Sequence, residues 1–194
     1  MVFACCDDGR PEVVGSAIVA LGHLADHRGL PVILGHVGDP SSEVRFAAAF
    51  ALPSVAGDPP ADEAVTALIS LTGDPDPEVR DWATMGLTSL EADGDAVREA
   101  LVARLADEEG DVAGEALVGL ALRQDPRALA PLLAWLENDP GNIIIEAAAA
   151  LGAAEALPAL QRLKSTGWQE RDSWPSILDE AIDACSRRPG ERDC

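Results

Sequence analysis

A short phrase recurs along this chain, and its period constrains the fold more than any other feature of the sequence. GDPSSEVRFAAAFAL (38–52) returns 35 residues later as GDPDPEVRDWATMGL (73–87). In both copies, Ala and Leu follow the valine of EVR at the fourth and eighth positions, which is the spacing of one helix face. The same triplet occurs five times: Val13/Ala17/Leu21, Val44/Ala48/Leu52, Val79/Ala83/Leu87, Val112/Ala116/Leu120 and Ile143/Ala147/Leu151. A period of 31 to 35 residues predicts an array of stacked units.

Each unit also contains a second apolar run at helical spacing, separated from the first by breakers such as Gly57-Asp58-Pro59-Pro60. Every unit is therefore predicted to be helix, turn, helix. Because one such pair cannot bury its apolar stripe alone, five successive pairs are expected to share a continuous core. The predicted units of this single domain (1–194) are 7–37, 38–72, 73–105, 106–136 and 137–165.

The two ends differ from the repeats. A stripe of apolar residues behind Ser173 predicts a capping helix over about 173–187, with a polar outer face and a frayed tail at 189–194. The stripe consists of Trp174, Ile177, Leu178, Ala181, Ile182 and Cys185. At the other end, MVFACC is similar to the tail of a second helix, either an abbreviated cap or the end of a unit that begins upstream. Two helices per unit plus the cap predict eleven helices and no sheet.

The composition fits many closely packed helices, because Ala is abundant and aromatic residues make up only 4% of the chain. The formal charge of −20 argues against a nucleic-acid partner, which would require a basic footprint. A protein partner, possibly basic, is expected instead, although a solvated acidic coat would also explain the charge. No apolar run is long enough to span a membrane and no signal peptide is recognisable, so a cytoplasmic location without membrane association is predicted. The oligomeric state stays open.

The phrase D-x-x-x-x-V-R-x-x-A-x-x-x-L resembles the HEAT repeat, in particular its short bacterial subtype first named from phycobilisome-lyase proteins. The copies at 38–52 and 73–87 carry the match best, whereas DDGRPEVVGSAIVAL and DEEGDVAGEALVGL have lost the arginine and NDPGNIIIEAAAALG matches more weakly. The resemblance covers about residues 7–165. It implies an all-α fold, a right-handed α-solenoid of about five repeats plus the capping helix.

The resemblance also implies a structural role for the acidic and basic residues of the phrase. Asp39 with Arg45, and Asp74 with Arg80, would help to stack neighbouring repeats. Both aspartates could also cap the helix that follows, because side-chain oxygens satisfy the first amides of a helix. A ligand role for either arginine is the less favoured alternative.

One set of equivalent positions predicts a recognition surface. The residue before the last apolar position of each second helix is His36, Ser70 (or Leu71, since the register is uncertain), Arg104, Trp135 and Arg162. The resemblance implies that second helices line the concave face, where partners commonly bind. Such a column could bind a carboxylate or an acidic loop through its arginines, with Trp135 as an apolar anchor. Alternatively, Trp135 fills a repeat junction and the arginines neutralise neighbouring acids.

Catalytic and metal-binding signals are weak. No nucleophile elbow, phosphate loop, zinc motif or dinucleotide fingerprint is present, so no catalytic residue, metal or cofactor is predicted. His23 and His27 are four residues apart but straddle a predicted turn, and no carboxylate motif accompanies them.

The leading functional prediction is a non-enzymatic scaffold or adaptor that binds a partner protein through the concave face. One alternative is an immunity or inhibitor protein for a basic toxin or nuclease, whose capture an acidic surface would accelerate. Another is an enzyme or lyase-type subunit that binds a small molecule in the groove around His36, Arg104 and Trp135. A HEAT-type DNA glycosylase would need a basic groove, which the net charge disfavours.

Overall fold

The computed structural model describes residues 2–138, 140–168 and 176–187. Within these ranges the protein consists of twelve α-helices and three short 3₁₀ turns, without a strand. The α-helices are α1 (Val2–Cys5), α2 (Pro11–Leu24), α3 (Leu30–Leu34), α4 (Ser42–Val55), α5 (Asp62–Leu71), α6 (Pro77–Ser89), α7 (Asp95–Arg104), α8 (Gly110–Leu122), α9 (Leu129–Leu136), α10 (Asn142–Leu151), α11 (Leu157–Ser165) and α12 (Ile177–Ser186). The fold is an all-α solenoid of helix pairs.

The first helices of successive units, α2, α4, α6, α8 and α10, pack each against the next. The last residue of each predicted triplet lies in their common core. Leu21, Leu52, Leu87 and Leu120 are at most 1% exposed. Burying a leucine of this kind stabilises the fold by roughly 2 kcal/mol. The apolar residues that repeat every 31 to 35 positions in the sequence are therefore the residues that repeat from unit to unit in the buried core.

The helix count exceeds the prediction of eleven by one, because the segment MVFACC contains the short helix α1, which packs on α2. At the other end, α12 packs against α10 and α11, as α10 packs against α8 and α9. The cap thus occupies the position of a further first helix. The predicted contributions of Ser173 and Trp174 and the predicted frayed tail at 189–194 lie outside the described residues.

Three second helices begin with a 3₁₀ turn rather than directly after a loop. These turns are His27–Gly29, Pro126–Ala128 and Ala154–Ala156. The carboxylates of Asp26 and Asp125 accept the amides of Arg28 and Arg127, which fixes the start of the first two turns. Asp26 and Asp125, which the sequence predicted only as residues that interrupt the helices, therefore hold the first two turns in place through side-chain hydrogen bonds.

The layer of second helices is less regular than the layer of first helices. Close backbone contact joins α3 to α5, α5 to α7 and α9 to α11. Between α7 and α9 the backbones make little close contact. Among neighbouring second helices, α7 and α9 therefore make the least close backbone contact.

Two glycines of α2 give a matched test of the packing between α2 and α4. A Cβ atom on Gly22 would lie 2.9 Å from the Cα of Ala51, a backbone atom that cannot move aside cheaply. A Cβ on Gly15 would meet its nearest neighbours at 3.7 Å, an ordinary contact. We expect Gly22→Ala to lower the free energy of unfolding by about 1–3 kcal/mol through overpacking. Gly15→Ala should instead be neutral or stabilise by up to about 1 kcal/mol, because alanine favours helix. Urea unfolding measures the change in the free energy of unfolding for each variant. Equal changes would contradict the close contact of Gly22 with Ala51.

Candidate functional site

The five residues of the predicted recognition column lie at equivalent places in the fold. Ser70, Arg104 and Trp135 are in the last two positions of α5, α7 and α9, Arg162 is in the last turn of α11, and His36 follows the end of α3. Ser70 is exposed on α5, whereas Leu71, the alternative register, is buried in the core. Of the two residues, only Ser70 is therefore accessible to a partner.

The basic residues of this column already contact acids of the same chain. Arg104 donates from Nη1 to the Asp107 carboxylate at 3.1 Å, and Arg162 lies 2.6 Å from Glu137. His36 Nδ1 is 3.5 Å from the Asp39 carboxylate. The two arginines of the column are therefore already paired with acids of the same chain, and Trp135 between them in the sequence of units is half-buried.

The arginines of the repeated phrase connect neighbouring units by bidentate ion pairs. Arg45 donates from Nε and Nη2 to the two carboxylate oxygens of Asp74 at 2.7 and 2.8 Å. Arg80 makes the same fork to Asp107 with two distances of 2.9 Å. Both pairs are largely buried, with the aspartates only 6% and 3% exposed. Each arginine thus reaches the aspartate of the next unit rather than that of its own phrase.

Within its own phrase, each arginine contacts the backbone of the aspartate that the sequence paired with it. Nη1 of Arg45 donates to the carbonyl oxygen of Asp39 at 2.9 Å, and Nη1 of Arg80 donates to that of Asp74 at 3.0 Å. The guanidinium therefore ties two turns together. The hydrogen bonds from Arg80 lower the pKa of the Asp107 carboxyl below its usual range, so the pair stays ionised.

The suggested capping role of the two aspartates is wrong in detail. The N-cap residues of α4 and α6 are Ser41 and Asp76. Asp39 and Asp74 lie two positions earlier and accept the amides of those N-cap residues at 2.9 Å. They close the turn that leads into the helix, a local hydrogen bond that short acidic side chains favour.

At the next unit the pair is absent and a cleft is present. The arginine position of the phrase holds Ala113, and the aspartate position of the following unit holds Asn138. Both residues line an open cleft of about 540 Å³, hereafter the Ala113–Asn138 cleft. Its other lining residues are Leu105, Ala106, Asp107, Glu108, Gly110, Trp135, Pro140, Gly141 and Ile144. The cleft lies beside the C-terminal ends of α7 and α9, and one member of the predicted column, Trp135, forms part of its wall.

The histidines do not converge. His23 packs edge-to-face on Phe50 with ring centroids 5.3 Å apart, and the Nδ1 atom of His27 lies 3.2 Å from the carbonyl oxygen of Val55. Among the described residues, no group of three or more His, Cys, Asp or Glu side chains is arranged to hold a metal ion.

The first helices carry a second electrostatic feature, a partly buried carboxyl group among other acids. Burial raises the pKa of Glu115 on α8 to about 7, with further contributions from Asp81, Glu146 and Asp111. Burial and Asp111 also raise the pKa of Asp81 above its usual range. The ordinary value for glutamate is 4.5, so the folded state favours the protonated form of Glu115.

The sign of the resulting pH dependence follows from linkage. Stability from a carboxyl whose pKa is raised on folding is complete below the unfolded pKa and is lost as the pH rises through the folded pKa. We expect Glu115→Gln to be more stable than the wild type above pH 7, by about 1–2 kcal/mol because solvent screens a partly exposed carboxyl, and the difference to shrink towards pH 5. Urea unfolding at pH 5.5 and 8.5 measures the difference in stability between Glu115→Gln and the wild type. Glu12→Gln is the charge control, because Glu12 is exposed on α2. A difference independent of pH would contradict the burial of Glu115.

Sequence reasoning missed Arg123, which has a large structural role. Its guanidinium donates to the carbonyl oxygens of Leu87, Leu90, Ala92 and Gly119 at 2.6 to 3.0 Å. Burial lowers its pKa, although the ordinary value of 12.5 is high enough that it remains charged. Arg123 lies outside the repeated phrase, so the repeat gave no signal for it. Its position after the last apolar residue of α8 is where a cation can satisfy helix-end carbonyls.

A model of HEAT repeats matches residues 2–88, 33–116 and 65–153, which together cover more than half of the chain. The chain belongs to the HEAT repeat family. This HEAT protein is similar to the protein YibA of Escherichia coli, strains K12 and O157:H7, with 37% identity over 126 residues. That alignment covers 64% of this chain and 44% of YibA, so the match extends over less than half of the relative.

Solved structures confirm the architecture. A crystal structure of Escherichia coli YibA superposes with a TM-score of 0.76 at 28% identity, covering 96% of this HEAT chain and 67% of that chain. A designed armadillo repeat protein in complex with the peptide (KR)4 gives a TM-score of 0.63 at 19% identity, over 94% and 97% of the two chains. Within the described part of the chain, no helix combines the length and apolarity needed to cross a bilayer.

Proposed function

We propose that this HEAT protein is a non-enzymatic binding module that receives a basic segment of a partner protein on its second-helix surface. The observation that carries the proposal is the position of Trp135. It is a half-buried tryptophan in the wall of an open cleft, on the surface where the column residues of successive units lie. Tryptophan is among the residues that most often anchor protein interfaces.

The charge of the surface selects the class of partner. Arg104, Arg162 and His36 each contact an acid of the same chain, so they offer little to an incoming carboxylate. Exposed acids lie in the turn before α8 and in its first turn, namely Glu108, Glu109 and Asp111. With a net charge of −20, the protein would attract a basic segment and repel an acidic one.

The scaffold itself supports this use. Stacked helix pairs place equivalent residues of successive second helices about 10 Å apart, which suits repeated contacts along an extended chain. The designed armadillo protein described above, which shares this architecture, was solved with a peptide of alternating Lys and Arg. A partner held in this way would lie along the concave face that the HEAT family presents to its ligands.

The same acidic surface would also suit inhibition of a basic toxin or nuclease. The two functions differ in what must be recognised, a linear segment or a folded basic surface. An octapeptide of alternating Lys and Arg therefore separates them. Binding of the unfolded octapeptide favours the segment, whereas binding only of folded basic proteins would favour the inhibitor.

Removing the anchor tests the proposal. We expect Trp135→Ala to weaken binding of the (KR)4 octapeptide by about 2 kcal/mol, the usual loss for a buried aromatic anchor. Trp82→Ala is the matched control, because Trp82 is also half-buried but packs on the first-helix side against Phe46 and Phe50. Isothermal titration at a temperature where both variants keep their helical circular dichroism gives the comparison. If both variants bind like the wild type, the recognition surface lies elsewhere.

A further inference from the structure

The two Arg–Asp pairs between units define what an arginine needs at this place in the repeat. Each guanidinium is held by a carboxylate of the next unit and by backbone carbonyls of its own turn. For Arg80 these carbonyls belong to Asp74 and Pro75, at 3.0 and 3.3 Å, and Arg45 repeats the arrangement with Asp39 and Pro40. The chain thus contains two copies of one arginine-binding geometry.

The third copy has the receiving groups and no arginine. Asp107 and Glu108 occupy the positions of the two residues whose backbone carbonyls accept from the arginine, and Asn138 occupies the position of the receiving aspartate. No arginine among the described residues donates to the carbonyl oxygens of Asp107 or Glu108. The fourth unit has Ala113 at the arginine position of the phrase, and the space there is open as the Ala113–Asn138 cleft.

We propose that the Ala113–Asn138 cleft is the docking site for an arginine side chain of the partner protein, which takes the place of the arginine that the repeat lacks there. This inference rests on the proposed function and names the element of the basic segment that enters the surface. The partner arginine would donate to the carbonyls of Asp107 and Glu108 and to the side-chain oxygen of Asn138.

The walls of the cleft match the two parts of an arginine side chain. Leu105, Ile144 and Trp135 line the cleft and provide apolar surface for the methylene stem, and the indole is an aromatic partner for a guanidinium. Glu108 is exposed at the same cleft and supplies negative charge. A planar fork of donors fits several convergent acceptors better than a lysine ammonium, so arginine is preferred over lysine.

The replacement of aspartate by asparagine at position 138 fits a site that is filled only on binding. A buried carboxylate that has lost its arginine is strongly destabilising, because its charge is uncompensated. Asn138 is exposed and neutral, and its Nδ2 donates to the carbonyl oxygen of Ala134 at 3.0 Å, which leaves the side-chain oxygen as the acceptor. The free chain therefore tolerates this site without an arginine.

Two substitutions with opposite expected effects test the proposal by titration with the (KR)4 octapeptide. Asn138→Asp restores the receiving carboxylate, so we expect it to tighten binding about three- to tenfold, as a charge-assisted bond replaces a neutral one. The double variant Ala113→Arg/Asn138→Asp restores the whole pair within the chain. It should weaken binding at least about tenfold and raise the melting temperature, with the net charge unchanged.

Ser16→Asp controls for added negative charge, since Ser16 is exposed on the first helix α2, outside the predicted column. If Ser16→Asp tightens binding as much as Asn138→Asp, or if the double variant binds like the wild type, the arginine site is refuted while peptide binding by the protein stands. Asn138→Asp keeps the test decisive if the double variant fails to fold.

A small probe tests the cleft independently of the peptide. N-acetylarginine amide at millimolar concentrations should shift the indole N–H resonance of Trp135 in a nitrogen–proton correlation spectrum, assigned with Trp135→Phe. N-acetylglutamine amide, which lacks the cation, should not. A shift with no peptide binding would retain the arginine site and refute the proposed function, whereas no selective shift would contradict the arginine site.

Discussion

Replacing Arg80 with alanine is expected to lower the free energy of unfolding by about 3 kcal/mol. The substitution leaves the Asp107 carboxylate, 3% exposed, without the fork that holds it at 2.9 Å. It also frees the carbonyl oxygen of Asp74, which Arg80 ties to the next turn. Asp107→Ala should cost at least as much, because it removes the carboxylate partner of both Arg80 and Arg104.

A double-mutant cycle separates the ion pair from the packing of the two side chains. Arg80→Ala/Asp107→Ala should be clearly less destabilised than the sum of the single variants, since neither charge is left alone. Arg28→Ala is the control for removing an arginine from an Arg–Asp pair, because the Arg28 side chain is 82% exposed. Chemical denaturation reports all four variants. Additive single effects, or an equally large effect of Arg28→Ala, would show that the inter-unit pairs do not stabilise the stack.

A second large effect is expected at Arg123. Arg123→Ala should cost about 2–4 kcal/mol, because carbonyl oxygens at the end of α6 and in the turn after it lose their donor in a partly buried place. The loss should appear in urea unfolding as a lower midpoint with little change in slope.

Arg123→Lys distinguishes charge from geometry at the same position. A lysine keeps the positive charge but presents its donors from a single point, so it should recover only a minor part of the lost stability. Full recovery by lysine would contradict the role of the guanidinium fork. The helical circular dichroism of both variants at low temperature serves as the control for folding.

The sequence predicted the repeating core well, because the signal is periodic and each unit repeats it. The Val–Ala–Leu triplets lie in the buried stack, and the units contain the predicted helix pairs. The 3₁₀ starts of three second helices were not predicted, and α1, expected only as the tail of a helix, was not included in the predicted count. Two of the 3₁₀ starts depend on local hydrogen bonds to Asp26 and Asp125, which a hydrophobic period does not report.

The partners of charged residues were harder to predict than their positions. The phrase showed that Asp and Arg recur, but nothing in one unit says that Arg45 reaches forward to Asp74 in the next. That choice depends on the offset between stacked turns, which only the packed structure fixes. The same offset joins Ala113 to Asn138, so the cleft becomes visible only when the sequence is read across two units.

The central claim is that the second-helix surface selects a basic segment. Its most direct test compares the affinity of the wild-type protein for the (KR)4 octapeptide with its affinity for a (DE)4 octapeptide. Isothermal titration measures both affinities at low salt and again at 0.5 M salt, where the Debye length falls to about 4 Å. We expect (KR)4 to bind at least about tenfold more tightly than (DE)4 at low salt, and the difference to narrow at high salt as the charges are screened. Equal affinities at low salt, or tighter binding of (DE)4, would contradict the claim.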